Sequence, residues 1–122
     1  MKQVLLDTSF ILTSIRNKID FISELPLKGL SVLVPKQVIS EIENIAESKK
    51  KLRFREEAKL ALKILEKSKT RKIDLKSKNT DNGIVKYSKE HNVIVATLDR
   101  EIKKKVQGQR LVIRGKKNLE II

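Results

Sequence analysis

The stretch Thr80–Glu101, TDNGIVKYSKEHNVIVATLDRE, decides how the chain is read. It opens with Asp81 at a helix start, and Ile84, Val85 and Ser88 fall on one side of the helix that follows. His91-Asn92 then reads as a turn into Val93-Ile94-Val95-Ala96, a short apolar run of the kind a buried parallel strand shows. That run ends in Thr97-Leu98-Asp99, with charged residues beyond it. Open α/β sheets bind ligands just past the carboxyl ends of their strands, so a strand-terminal carboxylate is a candidate site residue.

A second such carboxylate stands near the N-terminus. Val4-Leu5-Leu6 is a short apolar run followed by Asp7-Thr8-Ser9 and then Phe10-Ile11-Leu12, a strand, a polar break and a helix start. Asp7 therefore matches Asp99 in type of position. The competing reading is that Asp7 or Thr8 simply caps the following helix.

Between these ends the pattern alternates. Ile19–Leu25 is expected as a short helix, with Pro26 and Gly29 marking the turn after it. Leu30–Val34 reads as a strand stopped by Pro35, which suits a helix entry because it lacks a backbone donor. In the helix after Pro35, Val38, Ile39, Ile42, Ile45 and Ala46 form one apolar arc. Glu41 and Glu43 flank that arc on opposite sides, and periodicity alone leaves open which one points into a cleft.

Glu47-Ser48 suggests a loop, after which Phe54, Ala58, Ala61, Leu62 and Leu65 keep helical spacing. Ile73 and Leu75 alternate with charged residues, as in a short strand or extended connector. Beyond Asp99, Arg100–Val106 is expected as a helix ended by Gly108, Leu111–Ile113 as a strand, and Leu119–Ile122 as an edge segment. No repeat or linker interrupts this order, so residues 1–122 are read as one α/β domain.

Composition narrows the chemistry. The chain has no cysteine and a single histidine, His91, which excludes a thiolate zinc site and a Cys nucleophile and leaves only oxygen-based metal ligation. No apolar run approaches the roughly 20 residues of a membrane span. The N-terminus enters a strand-like segment without a signal-peptide pattern, which predicts a cytoplasmic protein with no membrane partner.

With 28 Lys and Arg against 15 Asp and Glu, the formal charge is +13 and the partner expected is a polyanion, nucleic acid first. The blander reading is a solubilising, Lys/Glu-rich surface of thermophile type. Three Phe, one Tyr and no Trp are too few for base stacking to dominate, so phosphate contacts must. The candidates are the cluster Lys49, Lys50, Lys51, Arg53 and Arg55, and the run from Lys103 through Lys104 to Lys105. Either could instead be a solvated helix end.

Four stretches together resemble the PIN domain, a small α/β nuclease fold, and most closely the archaeal relatives of PIN endonucleases that process ribosomal RNA. They are Val4–Ser9, Pro35–Ile42, Thr80–Val85 and Ile94–Glu101, in family order and spacing. The resemblance implies a three-layer α/β/α fold around a central, mainly parallel sheet. It places the family's four acidic positions on Asp7, Glu41, Asp81 and Asp99, selecting Glu41 over Glu43, and makes Thr8 and Thr97 supporting residues. Asn82 stands where relatives often carry a further acid, and Gly83 replaces a better helix former.

Carboxylates brought within about 5 Å of one another repel by roughly 3 kcal/mol per pair at an effective dielectric near 20. Such a cluster must hold protons, pair with Lys or Arg, or bind a cation, and for a cation all-oxygen ligands favour Mg²⁺ or Mn²⁺. The resemblance thus implies metal-dependent hydrolysis of single-stranded RNA to a 5′-phosphate and a 3′-hydroxyl. Three roles fit: an RNA-processing endoribonuclease working with a ribosome-assembly factor, the toxin of a toxin–antitoxin pair, or a weakly active RNA-binding module. A homodimer is compatible with each.

Overall fold

Each of the apolar runs becomes a strand of one sheet. The computed structural model describes residues 2–122. Its strands are β1 (Lys2–Leu6), β2 (Leu30–Pro35), β3 (Arg71–Ile73), β4 (Ile94–Ala96), β5 (Arg110–Arg114) and β6 (Asn118–Ile121). The helices are α1 (Thr8–Arg16), α2 (Phe21–Leu27), α3 (Lys36–Ala46), α4 (Leu52–Lys67), α5 (Thr80–His91) and α6 (Arg100–Lys105).

The sheet order is β3-β2-β1-β4-β5-β6, parallel throughout except for the antiparallel β5–β6 pair. Parallel crossovers are right-handed, so the direction of travel across the sheet sets the face each helix covers. The chain moves outward from β1 to β2 to β3, placing α1 to α4 on one face. It then returns over the sheet from β3 to β4 and on to β5, placing α5 and α6 on the other. α1, α3 and α4 pack against one another, and α5 packs on α6.

Burial on both faces explains why the strands read as unbroken apolar runs. Val4, Leu5, Leu6, Leu33, Val34, Val95 and Ala96 are fully buried. Phe10 and Phe21 meet edge to face, with ring centroids 6.0 Å apart, and join α1 to α2. In α4 the side turned inward carries Ala58, Ala61 and Leu65.

One expected helix is displaced. α2 begins at Phe21 rather than Ile19 and runs through Pro26 to Leu27. The cause is capping: the Asp20 side chain accepts a hydrogen bond from the Ser23 amide at 3.2 Å, which sets the helix start after it. The expected turn at His91-Asn92 is present, with Asn92 in the left-handed region at φ 51°. Among the described residues no helix is long and apolar enough to cross a membrane.

Candidate active site

The strand order reverses between β1 and β4. The chain leaves β1 toward one edge of the sheet and leaves β4 toward the other, so the two following loops part and open a crevice at their carboxyl ends. Asp7 and Asp99 stand on those loops. The Asp7 amide donates to the Ala96 carbonyl at 2.9 Å, continuing the β1–β4 ladder up to the carboxylate.

Asp7 is only 5% exposed, and a hydroxyl network holds it. Its Oδ2 accepts from the Thr97 hydroxyl at 2.7 Å and from the Ser9 hydroxyl at 3.0 Å. The same hydroxyls accept backbone amides from the β4 loop: Leu98 N–H reaches Ser9 Oγ and Asp99 N–H reaches Thr97 Oγ1, each at 3.0 Å. Ser9 and Thr97 therefore tie the carboxylate to both loops at once. Asp7 occupies the N-cap position of α1, yet its side chain makes no capping bond, which removes the simple capping reading. Burial pushes the Asp7 carboxyl above the usual carboxylate range and the nearby Glu41 charge adds to this, while bonds from Thr97, Ser9 and the Thr8 backbone partly oppose it.

Thr8 performs the matching task for α3, its hydroxyl donating to Glu41 Oε2 at 3.0 Å. Glu43 is exposed, whereas Glu41 is half-buried and faces α1. The choice that periodicity left open is made by this contact.

Asp81 lies in the first turn of α5. Asn79, one residue before the helix, provides the cap, accepting from the Asn82 amide at 2.9 Å. Although Asp81 is exposed as a residue, its carboxyl is pushed up by partial desolvation, then by the negative charges of Asp7 and Asp99, with Lys105 pulling the other way. Asp99 does act as a cap: its Oδ1 accepts from the Glu101 amide at 2.8 Å and the Ile102 amide at 3.3 Å, fixing the start of α6. Asp99 thus caps its helix through Oδ1, whereas Asp7 makes no capping bond.

All four acids gather at the carboxyl edge of the sheet and feel one another through the pairs Asp7–Glu41, Asp7–Asp81 and Asp81–Asp99. Asn82 is exposed beside them. Ser9 and Asn79 were missed by sequence reasoning. The available signal was a hydroxyl two residues past a strand-terminal Asp and an Asn at a helix entry.

The basic candidates divide. Lys49, Lys50 and Lys51 are exposed on the α3–α4 connection. Arg55 is engaged internally, its Nε donating to the Lys50 carbonyl at 3.0 Å. Arg53 lies 4.7 Å over the Phe54 ring, and Arg16 lies 5.5 Å from that ring's centre. On α6, Lys104 is within 3.9 Å of Glu101, Lys103 is half-buried, and Lys105 is the cation close enough to act on Asp81.

Comparison with known proteins gives this site a family. Residues 4–116 match the family described as PIN like domain. The chain belongs to the PIN-like family. It is 28% identical over 128 residues to Ribonuclease VapC4 of Methanocaldococcus jannaschii, covering 99% of this chain and 97% of that protein. Its fold is that of VapBC2 from Rickettsia felis, crystallised with a DNA fragment from its promoter, at a TM-score of 0.65 and 18% identity over 90% of this chain and 98% of that one. It likewise matches PAE2754 from Pyrobaculum aerophilum at a TM-score of 0.64 and 15% identity, over 89% of this chain and 83% of that one.

A divalent ion is what the PIN-like fold implies, and the donor set suits one. The four groups are carboxylates without sulfur or imidazole, and Asp7 is buried beside another acid, a combination that a hard cation relieves. The fit is by chemistry and placement. Among the described residues, no three acidic or histidine side chains already stand close enough to form a closed cage. That departs from the expected tight four-carboxylate cluster: Asp81 is exposed in the first turn of α5, and Asp99 is turned toward the α6 amides.

Proposed function

We propose that this PIN-like chain is a divalent-metal-dependent endoribonuclease of the toxin type, acting on single-stranded RNA and restrained by an antitoxin partner. The observation that carries the reading is the buried, hydroxyl-held Asp7 at the sheet's switch point, coupled to Glu41 and Asp81. The near full-length similarity to Ribonuclease VapC4 supports a toxin over the ribosomal-RNA-processing enzyme that the family resemblance first implied. Likeness in fold to VapBC2 agrees with an antitoxin as the protein partner. Residues 1–122 are proposed to act as one domain.

In this reading Asp7, Glu41, Asp81 and Asp99 hold Mg²⁺ or Mn²⁺. The bound ion supplies an activated water and offsets charge on the phosphodiester. The chain's own residues position and select. Thr97 and Ser9 fix Asp7, and Thr8 fixes Glu41, so two donors are oriented before the ion arrives. Lys105, beside Asp81, draws phosphate toward the acidic edge, and the overall charge of +13 brings the polyanion in. No protein nucleophile is needed, which suits a chain without cysteine.

The reading is tested by incubating the protein with structured and unstructured RNAs, with Mn²⁺ or with EDTA, and identifying the product ends. Cleavage of the unstructured RNA in Mn²⁺ only, leaving 5′-phosphates, is expected. Equal cleavage in EDTA, or none with Mn²⁺, would overturn it.

A further inference from the structure

On the face that carries α5, a cleft of about 560 Å³ separates that helix from the edge strand β3. Arg71, Lys72 and Lys76 line it from the strand side, with Lys86, Tyr87 and His91 opposite. Tyr87 and His91 are the chain's one Tyr and one His, and their rings stack at 3.9 Å with 15° between planes. Tyr87 is packed against the core while His91 is exposed, so the outer ring of an already ordered stack faces solvent. The other aromatic rings are unavailable: Phe10 and Phe21 are buried, and Phe54 lies under two arginines.

The walls of this cleft are held in place. Gln37 donates to Asp74 at 2.8 Å and accepts from the Leu75 amide at 3.2 Å, pinning the connector after β3 to α3. A Cβ at Gly83 would sit 2.9 Å from the Ser77 Cβ, so α5 presses directly on that connector. Two acids also line the cleft. Asp74 is occupied by Gln37 and the Lys76 amide, and Glu90 lies 3.9 Å from Lys86, so the four cations outnumber the acids. From Lys76, which lines the cleft, the connector runs on to Asp81 in the first turn of α5.

We infer that this cleft is a second RNA-contacting surface, holding a part of the strand remote from the scissile phosphate. Arg71, Lys72 and Lys76 meet phosphates, and one base stacks on the His91 side of the Tyr87–His91 pair. The inference rests on the ribonuclease reading. Cations on one wall facing a flat ring on the other complement the phosphates and bases of a single strand, whereas a solvated charged face needs no ordered ring pair.

The test is binding of a short, fluorescently labelled single-stranded RNA to the full chain in EDTA, where cleavage does not intrude. The double variant Arg71→Ala/Lys72→Ala should lower the salt slope of binding by about 1.4, from two lost single-strand phosphate contacts. His91→Ala should weaken binding roughly ten-fold, and His91→Phe, which keeps a ring, should restore most of it. All three positions are exposed, and unchanged thermal melts confirm folding. If wild type binds and all variants match it in slope and affinity, the cleft is not an RNA surface, while Mn²⁺-dependent cleavage by wild type leaves the nuclease reading standing. If wild type neither binds nor cleaves, both fall.

Discussion

Replacing Thr97 by Val tests whether the hydroxyl network is what holds Asp7. Thr97 is fully buried, and Val has nearly its shape. The change removes the 2.7 Å bond to Asp7 Oδ2 and the acceptor for the Asp99 amide at 3.0 Å. A hydrogen bond to a charged group contributes about 1.5–3 kcal/mol and one between neutral groups about 1 kcal/mol. The extra buried methyl offsets roughly 1 kcal/mol of this. The net loss expected at neutral pH is about 2 kcal/mol, or roughly 8 °C in melting temperature for a chain of this length.

The loss must depend on pH. The Thr97 bond favours the ionised carboxylate, so its removal raises the Asp7 pKa in the folded state further still. Under acid, with Asp7 protonated in both folded and unfolded states, only neutral bonds are lost and the penalty shrinks; it grows as pH rises. Denaturant unfolding of both proteins from acid to neutral pH reads this directly. A melting difference under about 2 °C that stays flat with pH would refute the role assigned to the network.

Other outcomes follow from the same structure. Gly83→Ala, which by helix propensity alone would stabilise by about 1 kcal/mol, should instead destabilise, because the new Cβ would meet the Ser77 and Leu75 Cβ atoms at 2.9 and 3.1 Å; denaturant midpoints decide the sign. Asp7→Asn should gain stability relative to apo wild type as pH rises. A group whose folded pKa is raised contributes most at low pH and loses that contribution as pH climbs through the raised value, and the variant lacks this loss; paired melts across pH would show it. Replacing Lys49, Lys50 and Lys51 together by Ala should flatten the salt dependence of RNA binding, and an unchanged slope would mark them as a solvated surface.

Much of this was legible in the chain itself, for a physical reason. Strands covered on both faces show as short apolar runs, so β1, β2, β4 and β5 could be read from Val4–Leu6, Leu30–Val34, Val93–Ala96 and Leu111–Ile113. The same runs made Asp7 and Asp99 conspicuous at their ends. What escaped depended on contacts between distant residues. Periodicity could not separate Glu41 from Glu43, a choice only the family resemblance made, because the contact that distinguishes them is the hydroxyl of Thr8 on another helix. Ser9 matters because Leu98 and Thr97 come to it from the far end of the chain. Gly83 looked like a poor helix residue, yet it is where α5 meets the connector after β3. The α2 boundary moved because a single Asp20 cap outweighed the apolar spacing.

The most direct test of the account follows cleavage and metal binding together in wild type and Asp7→Asn. With wild type, Mn²⁺ should raise the melting temperature and switch on cleavage of unstructured RNA, and EDTA should reverse both. With Asp7→Asn the fold should persist, the Mn²⁺-induced rise should disappear and cleavage should fall to background. Cleavage by Asp7→Asn at the wild-type rate, with the Mn²⁺ shift intact, would show that the acidic edge is not where the chemistry occurs.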